Sequence, residues 1–382
     1  MKKLLAILFA LLLLVACGSD KGSGDPTTIK IGGSGPLSGG AAVYGNDVYH
    51  AALLAVEEIN ELEGKEFFEL RFEDDEADPE KSPNAYGVLK DWGMQVSIYT
   101  TTSGAGLAVA EDYYNDRIFA LTPSGSNPGL VYTNNMVYDN CFQVCFTDPN
   151  QGVASADYIK QNELGDKVAI IYRSDDDYST AIYQTFKAEA EKIGLNVVYE
   201  GSFINTDSDY STQLNASMNA EADVVFLPIY YGPAASILTQ ADGMNYKPIF
   251  FGVDGMDGIL TQEGFNVELA EGVYLLTPFA ADSDDEKTVH FVNAFKAKFG
   301  GSVPTQFGAD AYDAVYAIYQ ACKNAGVDGT NTAEEICDAL IKQFTTMSFD
   351  GLTGEATWNL KGEVSKSPKA VIIENGAYTA AE

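Results

Sequence analysis

Val168-Ala169-Ile170-Ile171 and Val224-Val225-Phe226-Leu227 are continuous apolar runs with none of the alternation of a half-exposed strand. Short runs rich in β-branched residues are what parallel strands covered by helices on both faces require. Around them the pattern predicts helix 154–161, strand 168–172, helix 180–193, strand 196–199, helix 210–220, strand 224–229, helix 234–241 and strand 249–251. The same order is written upstream: strand 28–32, a Gly-rich loop, helix 47–62, strand 67–72, helix 82–91, strand 96–99, helix 107–114 and strand 118–121. In the first of those helices Val48, Ala52, Ala55, Ile59 and Leu62 form one apolar stripe. This is βαβ winding used twice, with the extended segment 136–146 between the two series. After strand 272–276, helical patterns at 286–299, 310–324 and 333–343 precede strand-like 355–359 and 370–373. Helices that follow the second sheet and are followed by strands imply that the chain crosses back. The expected fold class is therefore α/β, with two doubly wound parallel-sheet lobes joined by a multi-strand hinge. Residues 28–147 plus 278–345 would form lobe 1, and 148–277 plus 346–382 lobe 2. About 350 residues after Thr28 also exceed what one hydrophobic core supports.

The N-terminus supplies an address. Lys2-Lys3, an apolar stretch from Leu4 to Ala16 and small residues before Cys17 are the parts of a secretory signal peptide over 1–16. That stretch falls short of the roughly 20 residues that span a bilayer. Leu14-Val15-Ala16-Cys17 resembles a bacterial lipobox, which implies a mature N-terminus at Cys17 carrying a lipid. Residues 17–27 are rich in Gly, Ser and Asp and read as a flexible linker. An extracytoplasmic protein anchored to the bacterial cell membrane through Cys17 is expected.

Lys plus Arg number 23 against 55 Asp plus Glu, a net charge of -32 that would repel nucleic-acid phosphates. Asp74-Asp75-Glu76 and Asp175-Asp176-Asp177 lack the ligand spacing of a calcium loop, so no metal and no cofactor is assigned. Cys141 and Cys145 sit in an extended segment about 13 Å apart, beyond disulfide reach. Cys322 ends one helical pattern and Cys337 lies in the next; a bridge and a pair of buried thiols are both compatible with that spacing.

Ligands of open parallel sheets bind beyond the carboxyl ends of the strands. The loops there carry Gly35-Pro36-Leu37-Ser38-Gly39 with Tyr44, Thr100-Thr101-Thr102-Ser103-Gly104, Ser124-Gly125-Ser126-Asn127-Pro128, then Tyr178, Tyr230-Tyr231 and Asp254. Ser103-Gly104-Ala105-Gly106 opens a helix whose free N–H groups suit a carboxylate. Asp254 suits an ammonium, through a charge-assisted hydrogen bond. Together the two poles describe an α-amino acid. Taken singly, Ser103 reads as an N-cap and Asp254 as a turn residue; the shared strand-end position of the set reverses that and favours a ligand.

These loops, together with Ala55-Val56-Glu57-Glu58-Ile59-Asn60, Asp78-Pro79, Leu121-Thr122-Pro123, Asp148 with Gln151-Gly152, and Gly252, resemble the branched-chain amino acid (Leu/Ile/Val)-binding receptors of ABC importers over 28–378. The resemblance implies a type I periplasmic-binding-protein fold, an ABC permease as membrane partner, a monomer and no cofactor. It implies that Ser103, Ser124 and Ser126 hold the ligand's carboxylate and amine. Asp254 would complete the amine site, and Tyr44, Tyr178 and Tyr230 would surround the ligand. Some relatives join the positions of Ala77 and Thr102 by a disulfide, which this chain lacks. Asp175–Asp177 beside Tyr178 would favour a cationic or strongly polar ligand, unless that loop is simply solvated.

The competing class is an enzyme of the same fold. Its residues are missing: His50 and His290 lie within helical patterns, no Gly-x-Ser-x-Gly elbow follows a strand, and Gly32–Gly40 lacks the Gly-Lys-Ser/Thr of a P-loop. A sensor, or a receptor for an amide, organic acid or nucleoside, would use the same cleft. The sequence is best read as a receptor that encloses a small amino-acid-like ligand by hinge closure and delivers it to an importer.

Overall fold

The computed structural model describes residues 25–366 and 369–381. The expected signal peptide, Cys17 and the linker up to residue 24 lie outside the described residues.

The first series runs β1 (Ile29–Gly35), α1 (Ala42–Glu63), β2 (Phe68–Asp74), α2 (Ser82–Trp92), β3 (Val96–Thr100), α3 (Ser103–Leu107), α4 (Ala110–Asp116), β4 (Phe119–Thr122) and β5 (Cys141–Gln143). Its strands form one parallel sheet in the order β2-β1-β3-β4-β5. The second series is α5 (Asp148–Gln161), β6 (Val168–Arg173), α6 (Asp177–Ile193), β7 (Val197–Phe203), α7 (Ser211–Asn219), β8 (Val224–Leu227), α8 (Tyr231–Gly243), β9 (Ile249–Gly252) and β10 (Tyr274–Thr277). Every residue of Val168–Ile171 and of Val224–Leu227 has no exposed surface, the environment that lets these strands dispense with alternation.

The chain then returns to the first sheet with α9 (Glu286–Lys298), α10 (Gln306–Ala325) and α11 (Ala333–Phe344). Tyr319 and Lys323 of α10 both bond Glu63 at the end of α1, and Phe344 of α11 meets Phe119 of β4 at 4.7 Å between ring centroids. Next come the hairpin β11 (Ser348–Gly351) and β12 (Gly354–Thr357), and finally β13 (Lys369–Glu374) and β14 (Ala377–Ala380). These last two extend the second sheet in antiparallel fashion, giving the order β14-β13-β10-β9-β8-β6-β7. The molecule is thus a two-lobed α/β protein, each lobe built on its own sheet.

Several boundaries differ from the sequence expectation. Helix α1 begins at Ala42, placing Tyr44 in its first turn rather than in a loop. Gly45 permits this: a Cβ there would lie 2.2 Å from the Pro36 carbonyl oxygen, so only glycine lets the loop after β1 rest on the helix. Leu62 is 70% exposed and leaves the expected stripe, because in the last turn its neighbour Glu63 faces α10 instead. The expected helix 107–114 is two helices, α3 and α4, with Val109 at the N-terminus of the second. The hairpin β11–β12 hydrogen-bonds to α10 through Asp313, and Trp358 Nε1 donates to the Gln143 carbonyl of β5 at 2.8 Å. Residues 348–358 therefore rest on lobe 1, not on lobe 2 as the division at 345/346 implies; only β13 and β14 join the second sheet. Their turn, Asn375-Gly376 at φ 54 and 73, has the double positive φ of a tight hairpin.

Cys141, Cys145, Cys322 and Cys337 are separate buried thiols, which resolves the open question about the last two. Helix α11 opens with a capping box: Glu335 N donates to Thr332 Oγ1 at 3.2 Å, and Thr332 N to Glu335 Oε2 at 2.9 Å. Thr332→Ala is expected to cost about 1 kcal/mol of unfolding free energy, read as a lowered urea midpoint at unchanged slope.

Candidate functional site

The carboxyl ends of the two sheets face each other. Tyr44 from α1, Ser103 from the start of α3 and Ser124 after β4 meet Tyr178 from α6, Tyr230 before α8 and Asp254 after β9 around one cavity. Ser103 is the first residue of α3 with Thr102 as N-cap, and its Oγ accepts the Asn127 N–H at 3.1 Å. Ser124 Oγ donates to the Thr101 carbonyl at 2.6 Å. Tyr178 stacks on Tyr230 at 5.0 Å, and Tyr230 meets Tyr44 edge-on at 5.4 Å. Asp254 accepts a 2.5 Å bond from Tyr178 Oη, while its backbone N–H donates to Gln151 Oε1 at 3.1 Å.

Ser126 does not line this cavity. It is buried behind the cavity wall, where its hydroxyl lies beside the Asp148 carboxyl. In the acidic run Asp175 pairs with Arg173 at 2.7 Å, Asp176 caps α6 by accepting the Ser179 N–H, and Asp177 is exposed. None of the three lines the cavity. Asp74 and Asp75 are likewise spent inside the chain, on Ser38 and Leu37 and on Ser34 and Ala77 respectively. His50 stacks on Phe299 and His290 stands beside Glu58, both away from the cavity.

Residues that strand-end logic missed complete the wall. Phe307, in the first turn of α10, meets Tyr44 at 4.6 Å; Thr101, Thr102 and Gly255 contribute the rest. Phe307 was hidden because it comes from a helix more than 200 positions after the first loop, brought in only by the returning chain. Gln306 beside it bridges the lobes, with Nε2 to the Asp254 carbonyl at 3.2 Å and N to Asp257 Oδ2 at 2.9 Å. Tyr44 Oη donates to the Gly255 carbonyl and accepts the Tyr231 N–H at 3.2 Å. The lobes are drawn together by these bonds, and the remaining cavity is about 10 Å³, room for about one water. Admitting an amino acid requires the lobes or the aromatic rings to move.

Closure buries carboxyls. Burial raises Asp254 to about 7 against the opposing bonds from Tyr178 and Gln151, and raises Asp257 to about 6. Asp47 and Asp310, also buried, rise to about 7 and about 6. Between the ordinary carboxylate range and these values the folded chain binds protons that the unfolded chain has released. The penalty for burying charge is thus complete above pH 7 and relieved as pH falls. His50, held low by burial, opposes with a single group. The melting temperature should therefore rise between pH 8 and pH 5.5; a scanning-calorimetry series that falls over that window would contradict it.

Two facing, mainly parallel sheets with polar donors and one carboxylate at their carboxyl ends define a hinged two-lobed binding protein. The comparisons agree: the family model for periplasmic binding proteins matches residues 28–366, and the chain belongs to that family. Leu/Ile/Val-binding protein homolog 1 of Brucella abortus is 24% identical over 336 residues, covering 86% of this chain and 85% of that protein. The branched-chain amino acid transporter substrate-binding protein LivJ of Streptococcus pneumoniae, solved with isoleucine, superposes with TM-score 0.82 at 26% identity, covering 93% of this chain and 99% of that one. The leucine-binding protein LivK of Thermotoga maritima gives 0.81 at 25%, covering 93% and 98%.

Proposed function

We propose that the chain is the extracytoplasmic receptor of an ABC-type importer, binding an α-amino acid of the branched-chain class between its lobes. One observation carries the reading: an interlobe cavity has Thr101, Thr102, Ser103 and Ser124 on its first-lobe side, Asp254 on the other, and Tyr44, Tyr178, Tyr230 and Phe307 as walls. The donors suit a carboxylate, Asp254 an ammonium, and the rings an apolar side chain. Relatives named for leucine, isoleucine and valine support that assignment. The roles of Ser103, Ser124, Ser126, Tyr44, Tyr178, Tyr230 and Asp254 belong to it. So do the discontinuous lobes, a monomeric state and a permease partner. The lipid on Cys17 would hold the receptor at high effective concentration beside that permease.

Thermal melts of the mature protein in mild detergent, against the twenty amino acids, organic acids and nucleosides, test the ligand class, because a ligand selective for the native state raises the midpoint. An upward shift of a few degrees with leucine, isoleucine or valine is expected. A shift confined to organic acids or nucleosides would replace the ligand class. Labelling with a radioactive fatty acid should mark the wild-type chain and not Cys17→Ala; equal labelling would refute the anchor.

A further inference from the structure

A second cavity, of about 390 Å³, shares no lining residue with the interlobe cavity. Parts of the chain that lie far apart in sequence build its wall. The loop after β9 supplies Asp257 and Leu260, the segment crossing from β10 to α9 supplies Phe279, the turn between α9 and α10 supplies Val303 and Thr305, and β14 supplies Tyr378. The cavity therefore sits at the hinge, between elements of both sheets. Phe279 is buried, whereas Val303 is 47% exposed, an apolar side chain the fold leaves uncovered. A concave, partly apolar wall of this volume falls in the range of small-molecule sites, roughly 300–1,000 Å³.

Two polar residues on this wall are not fully spent. Asp257 is 4% exposed; its Oδ2 accepts the Gln306 N–H at 2.9 Å, and its Oδ1 has no hydrogen-bond partner among the described residues. Tyr378 Oη accepts the Gly258 N–H at 3.1 Å and stands near the Asp257 carboxyl without bonding it in good geometry. Thr305, 6% exposed, gives its N–H to Asp47 Oδ2 at 2.7 Å, and its Oγ1 has no partner among the described residues. It is the N-cap of α10, where a threonine hydroxyl ordinarily takes an N–H of the first turn, and here it does not. A buried carboxylate with a single main-chain donor is costly until another donor reaches it.

Charge decides which kind of donor fits. Lys296 lies on the wall and pairs with no carboxylate among the described residues. Against it stand Asp257 and Asp282 on the same wall, with Asp47 close enough to Asp257 for the two charges to repel. The balance is negative, in a chain of net charge -32. A cation carrying hydrogen-bond donors is favoured there over an anion or a neutral hydroxyl, and the rings and aliphatic side chains suit an apolar body.

From this cavity we infer a second small-molecule site, at the hinge, that takes an amphipathic primary amine. Its ammonium donates to Asp257 and Thr305, and its apolar body lies against Phe279, Leu260 and Val303. The site is separate from the interlobe cavity and does not rest on the identity of the ligand bound there.

Titration calorimetry of the full mature chain at pH 8, where Asp257 is charged, would use phenethylamine and hexylamine, with phenethyl alcohol and hexanoate as their neutral and anionic counterparts. Wild type should bind the amines about 10-fold or more tightly than the alcohol or the carboxylate. Ala377→Trp adds an indole at an exposed position on the cavity wall and should weaken both amines by about 10-fold or more. Asp257→Asn should weaken the amines and spare the alcohol; Ala377→Trp carries the test if that variant does not fold. Asp254→Ala, which alters the interlobe cavity instead, should change amine affinity by less than about threefold. Absence of amine binding to wild type, equal affinity for amine and alcohol, or full amine affinity in Ala377→Trp would overturn the site. A loss in Asp254→Ala without one in Ala377→Trp would put the amine in the interlobe cavity and overturn it as well.

Discussion

Lys366→Met is expected to lower the unfolding free energy by about 3–5 kcal/mol at pH 8. The Lys366 ammonium is 2% exposed, donates to Asp310 Oδ1 at 3.0 Å and to Thr353 Oγ1, and lies 3.9 Å from Asp313 Oδ2. Asp313 has further donors in Leu352 N, Thr353 N and Thr353 Oγ1, so its charge stays solvated by the protein. Asp310 has the lysine as its charged partner and already sits at about 6 because burial outweighs that attraction. Methionine fills the volume but leaves the carboxylate without its cation. The cost should therefore shrink at pH 5.5, where Asp310 protonates. Urea unfolding at both pH values gives the answer: a loss under 1 kcal/mol, or one independent of pH, would show that the lysine is not what holds this cluster. Asp310→Asn in the Lys366→Met background should recover part of the loss, since the two sites share one interaction.

Asp254→Ala is expected to weaken amino-acid binding by about 1.5–3 kcal/mol, or roughly 10- to 150-fold in Kd. Its main-chain bonds to Gln151 and Gln306 survive the change, so lobe closure is retained and the loss falls on the ligand. Tyr178 Oη loses its acceptor but still receives the Gly255 N–H at 2.9 Å, which keeps the ring in place. Ser103→Ala should lose affinity in the same direction by a smaller amount, because the serine shares its oxygen with Asn127 N. Calorimetric titration giving wild-type affinity for Asp254→Ala would remove this residue from the site.

Much of the fold is legible because local patterns and the final environment agree. The unbroken apolar runs at Val168 and Val224 are strands with no exposed surface, and the helix–strand alternation on either side is the one observed. Errors gather at helix N-termini. Tyr44, Asp148 and Tyr178 all lie in first turns that polarity made look like loop. Polar and small residues satisfy either a loop or a helix start, and what turns the backbone helical is packing from distant parts of the chain. The hairpins at 348–357 and 369–380 are harder for the same reason, since short strands of mixed burial gain their pairing only against a partner. Even there, Asn375-Gly376 is a turn signal that could have revealed β14.

The sequence by itself determined that two parallel sheets exist, that their carboxyl ends carry hydroxyls, aromatic rings and one carboxylate, and that the chain recrosses between them. Spacing within βαβ units is a local property, and strand-end loops are in register with the strands they follow. Only the tertiary structure decided that Phe307 joins the wall, that Gln306 bonds the Asp254 carbonyl beside it, and that Ser126 lies off the cavity beside Asp148. It alone showed that Asp148 is buried without a hydrogen-bond partner among the described residues, that Asp175 pairs with Arg173 while Asp176 caps α6, and that Lys366 stands between two aspartates. Those facts depend on which side chains meet across hundreds of residues. Such meetings are set by burial and charge pairing in the closed molecule and leave no periodic trace in the chain.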